Sequence, residues 1–248
     1  MIVELFRGNY NISKRTVILD CDEVLVETSP HAVQLMHTPE YRDVFDKYLR
    51  LSPEFDLEQM TPLINSRPTY YLNEWLMKKE IVNDDMFEGY QKECIPTLME
   101  VYARSDFYED LLPTRLGITI ARMLKNGMIR KAVVVSKLTE YSDKGKASKE
   151  RFLKKLFAGS MDKVDIYYLR ETDKKSDVIN SLTTEVLNDV SFFADDHVPN
   201  IVDVLENTAL TNYQLLIPSY GYNTDISSVN DASLRTKHSK LSFYSPID

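Results

Sequence analysis

Cysteine is nearly absent: Cys21 and Cys94 are the only two in 248 residues. Two thiols cannot build a disulfide framework or a Cys-rich zinc site, so reduced thiols in a cytosol are the expectation. Seven glycines and ten prolines exclude a collagenous or linker-like chain. No apolar run approaches the ~20 residues of a membrane helix. The N-terminus, MIVELFRGNYNISKR, has no apolar stretch of signal-peptide length, and neither end carries a lipidation motif. A cytoplasmic protein with no membrane partner is therefore expected. Cations are the minority: 30 Lys and Arg against 38 Asp and Glu give a net charge of −8. That balance lacks the bulk positive field that holds a polyanion, so no stable binding to a nucleic-acid polymer is expected. The basic cluster from Lys144 to Lys155 is the local exception. His31, His37, His197 and His238 show no metal-ligand spacing and read as surface or satisfied histidines.

What is present is an alternation of short β-branched runs with helical stretches. The runs are Thr16-Val17-Ile18-Leu19, Ala132 to Val135, Val164 to Leu169, Val190 to Ala194 and Tyr213 to Ile217. Such runs suit strands buried on both faces of a parallel sheet. Between them, Thr114 to Asn126 repeats Leu116, Ile120 and Leu124 at four-residue spacing, and Gly127 stands at the expected helix end. Ser148 to Phe157, Ser176 to Leu187 and Pro199 to Glu206 also read as helices. The pattern predicts an α/β fold with a parallel sheet flanked by helices. The segment from Pro30 to Leu112 differs, being rich in helix formers and broken by Pro39, Pro53, Pro62, Pro68 and Pro96. It predicts a helical insert over residues 30–112 after the first strand, with residues 1–29 and 113–248 forming the α/β core. The polar tail from Asn223 to Asp248 reads as loop or an edge element.

Ligands of open α/β sheets bind beyond the carboxyl ends of the strands. The reactive residue types fall there: Asp20 and Asp22 after the first strand, Ser136 after the second, Lys174 and Lys175 after the third, Asp195 and Asp196 after the fourth. Carboxylates gathered in one pocket repel and need a cation, and an all-oxygen ligand set favours a hard ion such as Mg²⁺. A carboxylate can attack phosphorus, and a second one can protonate the leaving oxygen and then activate water. A lysine and a hydroxyl can hold the remaining phosphate oxygens. The set is complete for phosphate-ester hydrolysis without histidine.

The segments VILDCDEVLVE, VVVSKLTE, TDKKSDVI and FFADDHVPNI, in that order, resemble the four motifs of the haloacid-dehalogenase (HAD) superfamily of Mg²⁺-dependent phosphohydrolases. The resemblance covers about Thr16 to Thr28 and Thr114 to Pro218. It implies a Rossmann-like core, with Asp20 as nucleophile, Asp22 as general acid/base, and Lys175 and Ser136 holding the phosphoryl group. Lys174 is the alternative to Lys175, which directly precedes a helix start. The resemblance also implies Mg²⁺ held by Asp20, the Asp22 main-chain carbonyl and Asp196, with Asp195 beside them. Glu23 departs from the family, which usually has Gly there, and this bears on the shape of the turn after Asp22.

An insert at this point of the superfamily is a cap over the active site, and caps exclude water and supply substrate contacts. Phe45, Tyr48, Tyr70, Tyr71 and Trp75 are candidate base-stacking groups, with Phe45, Tyr71, Trp75 and the motif neighbour Lys137 as the selected substrate contacts. Arg67 or Arg104 is a candidate for a phosphate or base edge. The arrangement is similar to the 5′(3′)-deoxyribonucleotidases and, in size, to phage deoxynucleoside monophosphatases. It implies a small-molecule phosphate ester, a nucleoside monophosphate, as substrate; a polynucleotide end phosphatase or another small phosphate-ester phosphatase of the same fold is the alternative, a non-catalytic phosphate- or partner-binding module a third reading, and a homodimer is left open. Each residue also has a plainer role when taken singly. Aspartates cap helices and turns, serines cap loops, paired lysines are solvated, and aromatics of an insert fill its core. Cys21 reads as a packing residue.

Overall fold

A computed structural model describes residues 15–49, 57–80, 84–138, 143–234 and 238–244. Strand β1 (Thr16–Leu19) is followed by helices α1 (Ser29–Met36), α2 (Arg42–Leu49), α3 (Leu57–Asn65), α4 (Leu72–Glu80) and α5 (Asp84–Gly89). A π-helical turn (Tyr90–Cys94) leads into α6 (Ile95–Tyr102). The chain then runs through α7 (Arg115–Lys125), β2 (Lys131–Leu138), α8 (Asp143–Leu156), β3 (Val164–Arg170), α9 (Lys175–Ser181), α10 (Thr184–Asn188) and β4 (Val190–Ala194). It ends with α11 (Val198–Asn207), β5 (Tyr213–Pro218), α12 (Ser227–Leu234) and β6 (His238–Tyr244). Among the described residues no helix is long and apolar enough to cross a membrane.

The strands form one parallel sheet in the order β3-β2-β1-β4-β5-β6. The expected α/β class, with helices inserted after the first strand, is what the chain adopts. Alternation along each strand decides which face a side chain serves. Val17, Leu19, Val134 and Phe192 pack on one face with α7, α8 and the inserted helices; Ile18, Val133, Val135 and Phe193 pack on the other with α9 and α11. Both faces are covered, which is why the runs are apolar throughout rather than alternating with polar residues. The sheet order reverses beside β1, so the crevice between the carboxyl ends of β1 and β4 is the topological switch point.

Local chemistry accounts for the helix ends. Thr114 caps α7 by accepting from Gly117 N at 3.1 Å, and Gly127 follows the helix in the left-handed region (φ +71°). The stretch expected as one helix from Ser176 to Leu187 is two. Leu182 is extended, and Thr183 opens a new helix by accepting from Val186 N. The polar tail is also more ordered than a loop. It supplies α12 and the edge strand β6, whose Leu241 and Phe243 lie opposite Leu215 and Ile217 of β5. An edge strand half open to water need not be apolar, which is why its sequence does not stand out.

Candidate active site

Register sets the first contact of the site. Leu19 lies opposite Ala194, so the next residues, Asp20 and Asp195, leave adjacent strands side by side, with Asp20 N donating to Ala194 O at 2.9 Å. Carboxylate oxygens of Asp20, Asp195 and Asp196 come within 4.8 Å of one another, and all three residues are buried. Lys175, at the start of α9, is buried too. Its Nζ stands 2.9 Å from Asp20 Oδ2 and 2.7 Å from Asp195 Oδ2. Lys174, by contrast, is exposed, so Lys175 is the lysine the fold brings to the carboxylates. Asp195 also accepts from the main-chain N of His197 and from Asn200. Asp20 accepts from Cys21 N at 2.7 Å. Asp196 receives Tyr222 Oη at 2.6 Å on Oδ2, while its buried Oδ1 has no partner.

Three carboxylates against one ammonium make this pocket short of positive charge. Burial pushes the Asp20 carboxyl up to about 6, with Lys175 pulling it down and Asp195 and Asp22 adding to the rise. Burial and then Asp195 and Asp20 raise Asp196 as well. Lys175 stays charged: burial works against its ammonium, but Asp195 and Asp20 outweigh that. An orphaned buried carboxylate oxygen, in an all-oxygen set with unbalanced negative charge, fits a hard divalent cation.

The other side of the site is built around Asp22, whose side chain is 33% exposed. Lys149 of α8 reaches Asp22 Oδ2 at 2.7 Å, Ser136 Oγ at 2.9 Å and the Lys137 carbonyl at 3.2 Å. Tyr108, in the segment between α6 and α7, donates to Asp22 Oδ1 at 2.7 Å. Lys149 comes from a buried stripe of α8, namely Gly145, Ser148, Lys149 and Phe152, whose helical spacing turns a lysine inward. A cleft of about 50 Å³ lies here, lined by Asp22, Tyr102, Tyr108, Lys137, Leu138, Gly145 and Lys149.

The turn after Asp22 resolves the question raised by Glu23. It takes a left-handed conformation, φ +57°, which glycine adopts freely and which costs an L-residue about 1–2 kcal/mol. Compensation is visible in the side chain. Glu23 Oε1 accepts from Thr28 Oγ1, Ser29 N and Ser29 Oγ at 3.0, 2.8 and 2.6 Å, and its main-chain oxygen accepts from Tyr220 Oη at 3.0 Å. Ser29 opens α1, so this carboxylate ties the turn that carries Asp22 to the insert.

The insert touches the site through its α3–α4 connection. Arg67 is buried, donates to the Ile64 and Tyr70 carbonyls and to Ser29 Oγ, and stacks 4.6 Å over the Tyr222 ring. Tyr70 lies on the His197 ring at 3.9 Å and edge-on to Tyr222 at 5.4 Å. Burial and then the charges of Asp196 and Asp20 push the Tyr70 phenol well up, so it faces the carboxylate cluster. Gly221 permits this approach: a Cβ there would stand 2.2 Å from Ser66 O and 2.6 Å from Arg67 O.

The four motif residues Asp20, Asp22, Ser136 and Lys175 therefore converge with Asp195 and Asp196 in one crevice. Ser136 is fully buried and bonded to Lys149. Of the substrate contacts expected from the insert, Phe45 (1% exposed) and Trp75 (6%) are part of the apolar core and Tyr71 is 47% exposed. Packing within the insert claims the first two, since large rings gain most where they are fully covered. Lys137 lines the cleft and donates to the Glu171 carbonyl at 2.9 Å. Tyr48 hydrogen-bonds Glu93, and Arg104 pairs with Asp106 and Glu40. Lys149, Tyr108 and Tyr222 carried no motif in the sequence.

No family model matches the chain, and no curated protein matches it. Solved structures are similar at low identity. A HAD-superfamily hydrolase, subfamily IA, variant 1, from Geobacter sulfurreducens is 17% identical, with 84% of this chain and 88% of that one covered and a TM-score of 0.48. A haloacid dehalogenase-like family hydrolase from Xanthomonas campestris is 12% identical, with 84% of each chain covered and a TM-score of 0.44. An L-2-haloacid dehalogenase from Xanthobacter autotrophicus, with chloropropionic acid covalently bound, is 13% identical, with 82% of this chain and 77% of that one covered and a TM-score of 0.38.

Proposed function

We propose that the protein is a HAD-type, Mg²⁺-dependent phosphomonoesterase acting on a small phosphate ester, a nucleoside monophosphate by preference. One observation carries this reading. Two aspartates two residues apart face different surroundings: Asp20 sits dry against Lys175 beside the orphaned Asp196 Oδ1, and Asp22 is one-third open with its own lysine. Asp20, held by an ammonium beside a cation-ready oxygen, suits attack on phosphorus, and Asp22, reachable by water, suits proton exchange with the leaving group and with water.

Asp20, Asp196 and the Asp22 main-chain carbonyl would hold the Mg²⁺, with Asp195 fixing Lys175 next to them. When bound, the ion offsets charge on the transferring group. Asp20 attacks phosphorus, the bond from phosphorus to the ester oxygen breaks, and Asp22 gives its proton to that oxygen, releasing an alcohol and leaving an aspartyl-phosphate. Water then loses a proton to Asp22 and attacks phosphorus, which frees phosphate and restores Asp20. Lys175 and Ser136 donate to the phosphoryl oxygens throughout. The preference for a nucleotide is supported by the rings at the site, Tyr70 on His197 and Tyr102 and Tyr108 in the cleft wall, which offer stacking surface to a base.

A panel of nucleoside monophosphates, sugar phosphates and an aryl phosphate, assayed for released phosphate with and without Mg²⁺, tests the reading. Turnover is expected only with the metal and fastest on a nucleotide. Asp20→Asn is expected to lower it by at least about 10³-fold while the fold is kept. Near-normal activity in that variant rules out the covalent scheme.

A further inference from the structure

We propose that Lys149 is a positioning residue that couples Asp22 to Ser136 and leaves the Ser136 hydroxyl hydrogen for the phosphoryl group. The inference rests on the hydrolase reading above. Lys149 lies outside the four motifs, on the inner face of α8. An ammonium has three donors, and here each has a partner: Asp22 Oδ2, Ser136 Oγ and the Lys137 carbonyl, at 2.7, 2.9 and 3.2 Å. The side chain is buried, 3% exposed, so it is not a solvated surface cation that happens to lie near an acid.

The bond to Ser136 has a direction. A serine oxygen accepts on lone pairs and donates one hydrogen. Lys149 occupies the accepting side. The acceptor within reach of the hydroxyl is the Lys137 carbonyl at 3.5 Å, a long contact to an oxygen that Lys149 already serves. The hydroxyl hydrogen therefore has only this long contact among the described residues, and on the hydrolase reading it turns from that carbonyl to a phosphoryl oxygen at Asp20. On its other arm Lys149 meets the tyrosine clamp on Asp22. Tyr108 takes Oδ1 and Lys149 takes Oδ2, which fixes the plane of the carboxylate. One ammonium thus sets the orientation of two groups that, on the hydrolase reading, act at different oxygens of the transferring group, one equatorial and one leaving.

The test is a double-mutant cycle read first by calorimetric binding of inorganic phosphate. Lys149→Met is expected to weaken phosphate binding about tenfold, as is Ser136→Ala, since each removes the same oriented donor. The double variant is expected to bind no worse than Ser136→Ala alone. Lys149→Arg is expected to recover part of the loss. In kinetics, Lys149→Met is expected to cost about 100-fold in kcat on an alkyl phosphate and much less on p-nitrophenyl phosphate, whose leaving group needs little help from Asp22. If Lys149→Met does not fold, Lys149→Met with Asp22→Asn removes the uncompensated charge, and the phosphate cycle is run in that background. Additive losses, or phosphate affinity and kcat unchanged from wild type, overturn the inference while the hydrolase reading stands. A wild-type protein that turns over no phosphate ester overturns the hydrolase reading instead, and the phosphate cycle still decides whether Lys149 orients Ser136.

Discussion

The two sides of the site solve opposite problems with the same two residue types. Around Asp20 everything is dry: Asp195, Asp196 and Lys175 are each no more than 1% exposed, and three acids share one base. Around Asp22 a third of the carboxylate is open, and one acid has its own lysine and a phenol. The first side is under-neutralised, a repulsion that a bound metal ion would relieve. The second is balanced, and its exposure leaves room for a leaving group and water. Carboxylate–lysine contact therefore has no fixed meaning in this chain; its role follows from burial and from the count of charges.

Removing charge from the dry side should show the largest effect. Lys175→Met leaves Asp20 and Asp195 buried with no cation, and a loss of about 3–5 kcal/mol is expected in denaturant titrations run in EDTA. Added Mg²⁺ should restore part of it. A loss below about 1 kcal/mol would mean that water reaches this pocket and that the contrast with the Asp22 side is false.

The next effect is on pH. Burial raises the Asp20 carboxyl from 3.8 to about 6, and Asp196 moves the same way. A raised acid takes up its proton more readily in the folded state, so its contribution to stability is full below about pH 4 and is lost as pH rises through about 6. A shift of this size corresponds to on the order of 3 kcal/mol. In EDTA, stability should therefore fall between pH 4 and pH 7, and Asp20→Asn should flatten that fall. With saturating Mg²⁺ the trend should weaken or reverse, because the ion takes over the charge. Identical profiles with and without Mg²⁺ would separate the carboxylates from any metal.

A smaller effect is expected where the insert meets the core. Gly221→Ala drives a methyl group into the Ser66 and Arg67 carbonyls and should cost about 1–3 kcal/mol by overpacking. It should also disturb Tyr70 and Tyr222, and through them the dry side, more than the Asp22 side. Mg²⁺ affinity falling while the Lys149 contacts persist would sharpen the comparison. Smallest of all, Lys174→Ala should change stability by less than about 0.5 kcal/mol and leave activity alone, since its neighbour carries the contact.

Much of the dry side was legible in the sequence, because it is built where strands end. Runs such as Thr16–Leu19 and Val190–Ala194 announce buried parallel strands, and the residue after each must emerge at the same edge of the sheet. Asp20, Asp195 and Asp196 follow from that rule, whereas Lys175 lies beyond β3 at the start of α9 and is read from the helix start. The Asp22 side was legible only by half. Asp22 lies in the turn beyond β1, and Ser136, expected just after the second strand, lies inside β2, which runs on to Leu138; Lys149 comes from the middle of a helix whose Lys144, Lys146, Lys154 and Lys155 make it read as a solvated face. Its signal was the spacing to Phe152 and Leu153, which puts it on the buried stripe. Tyr108 and Tyr222 arrive from irregular segments that no periodicity describes. In the insert, composition could not tell core rings from site rings. Phe45 and Trp75 went to the interior, and Tyr70 reached the site because a connection, not a helix, delivers it.

The left-handed turn at Glu23 couples two motions that are separate in a hinge of glycine. Its backbone shapes the loop that presents Asp22, and its carboxylate grips the first residue of α1. Tyr102 and Tyr108 of the insert wall the cleft of about 50 Å³ beside Asp22, so on the proposed reading widening it for a nucleotide would take an outward swing of the inserted helices. Such a swing pulls on Ser29, hence on Glu23, hence on the peptide beside the acid. On that reading the insert and the proton donor share a single joint, so a contact made by one is felt by the other.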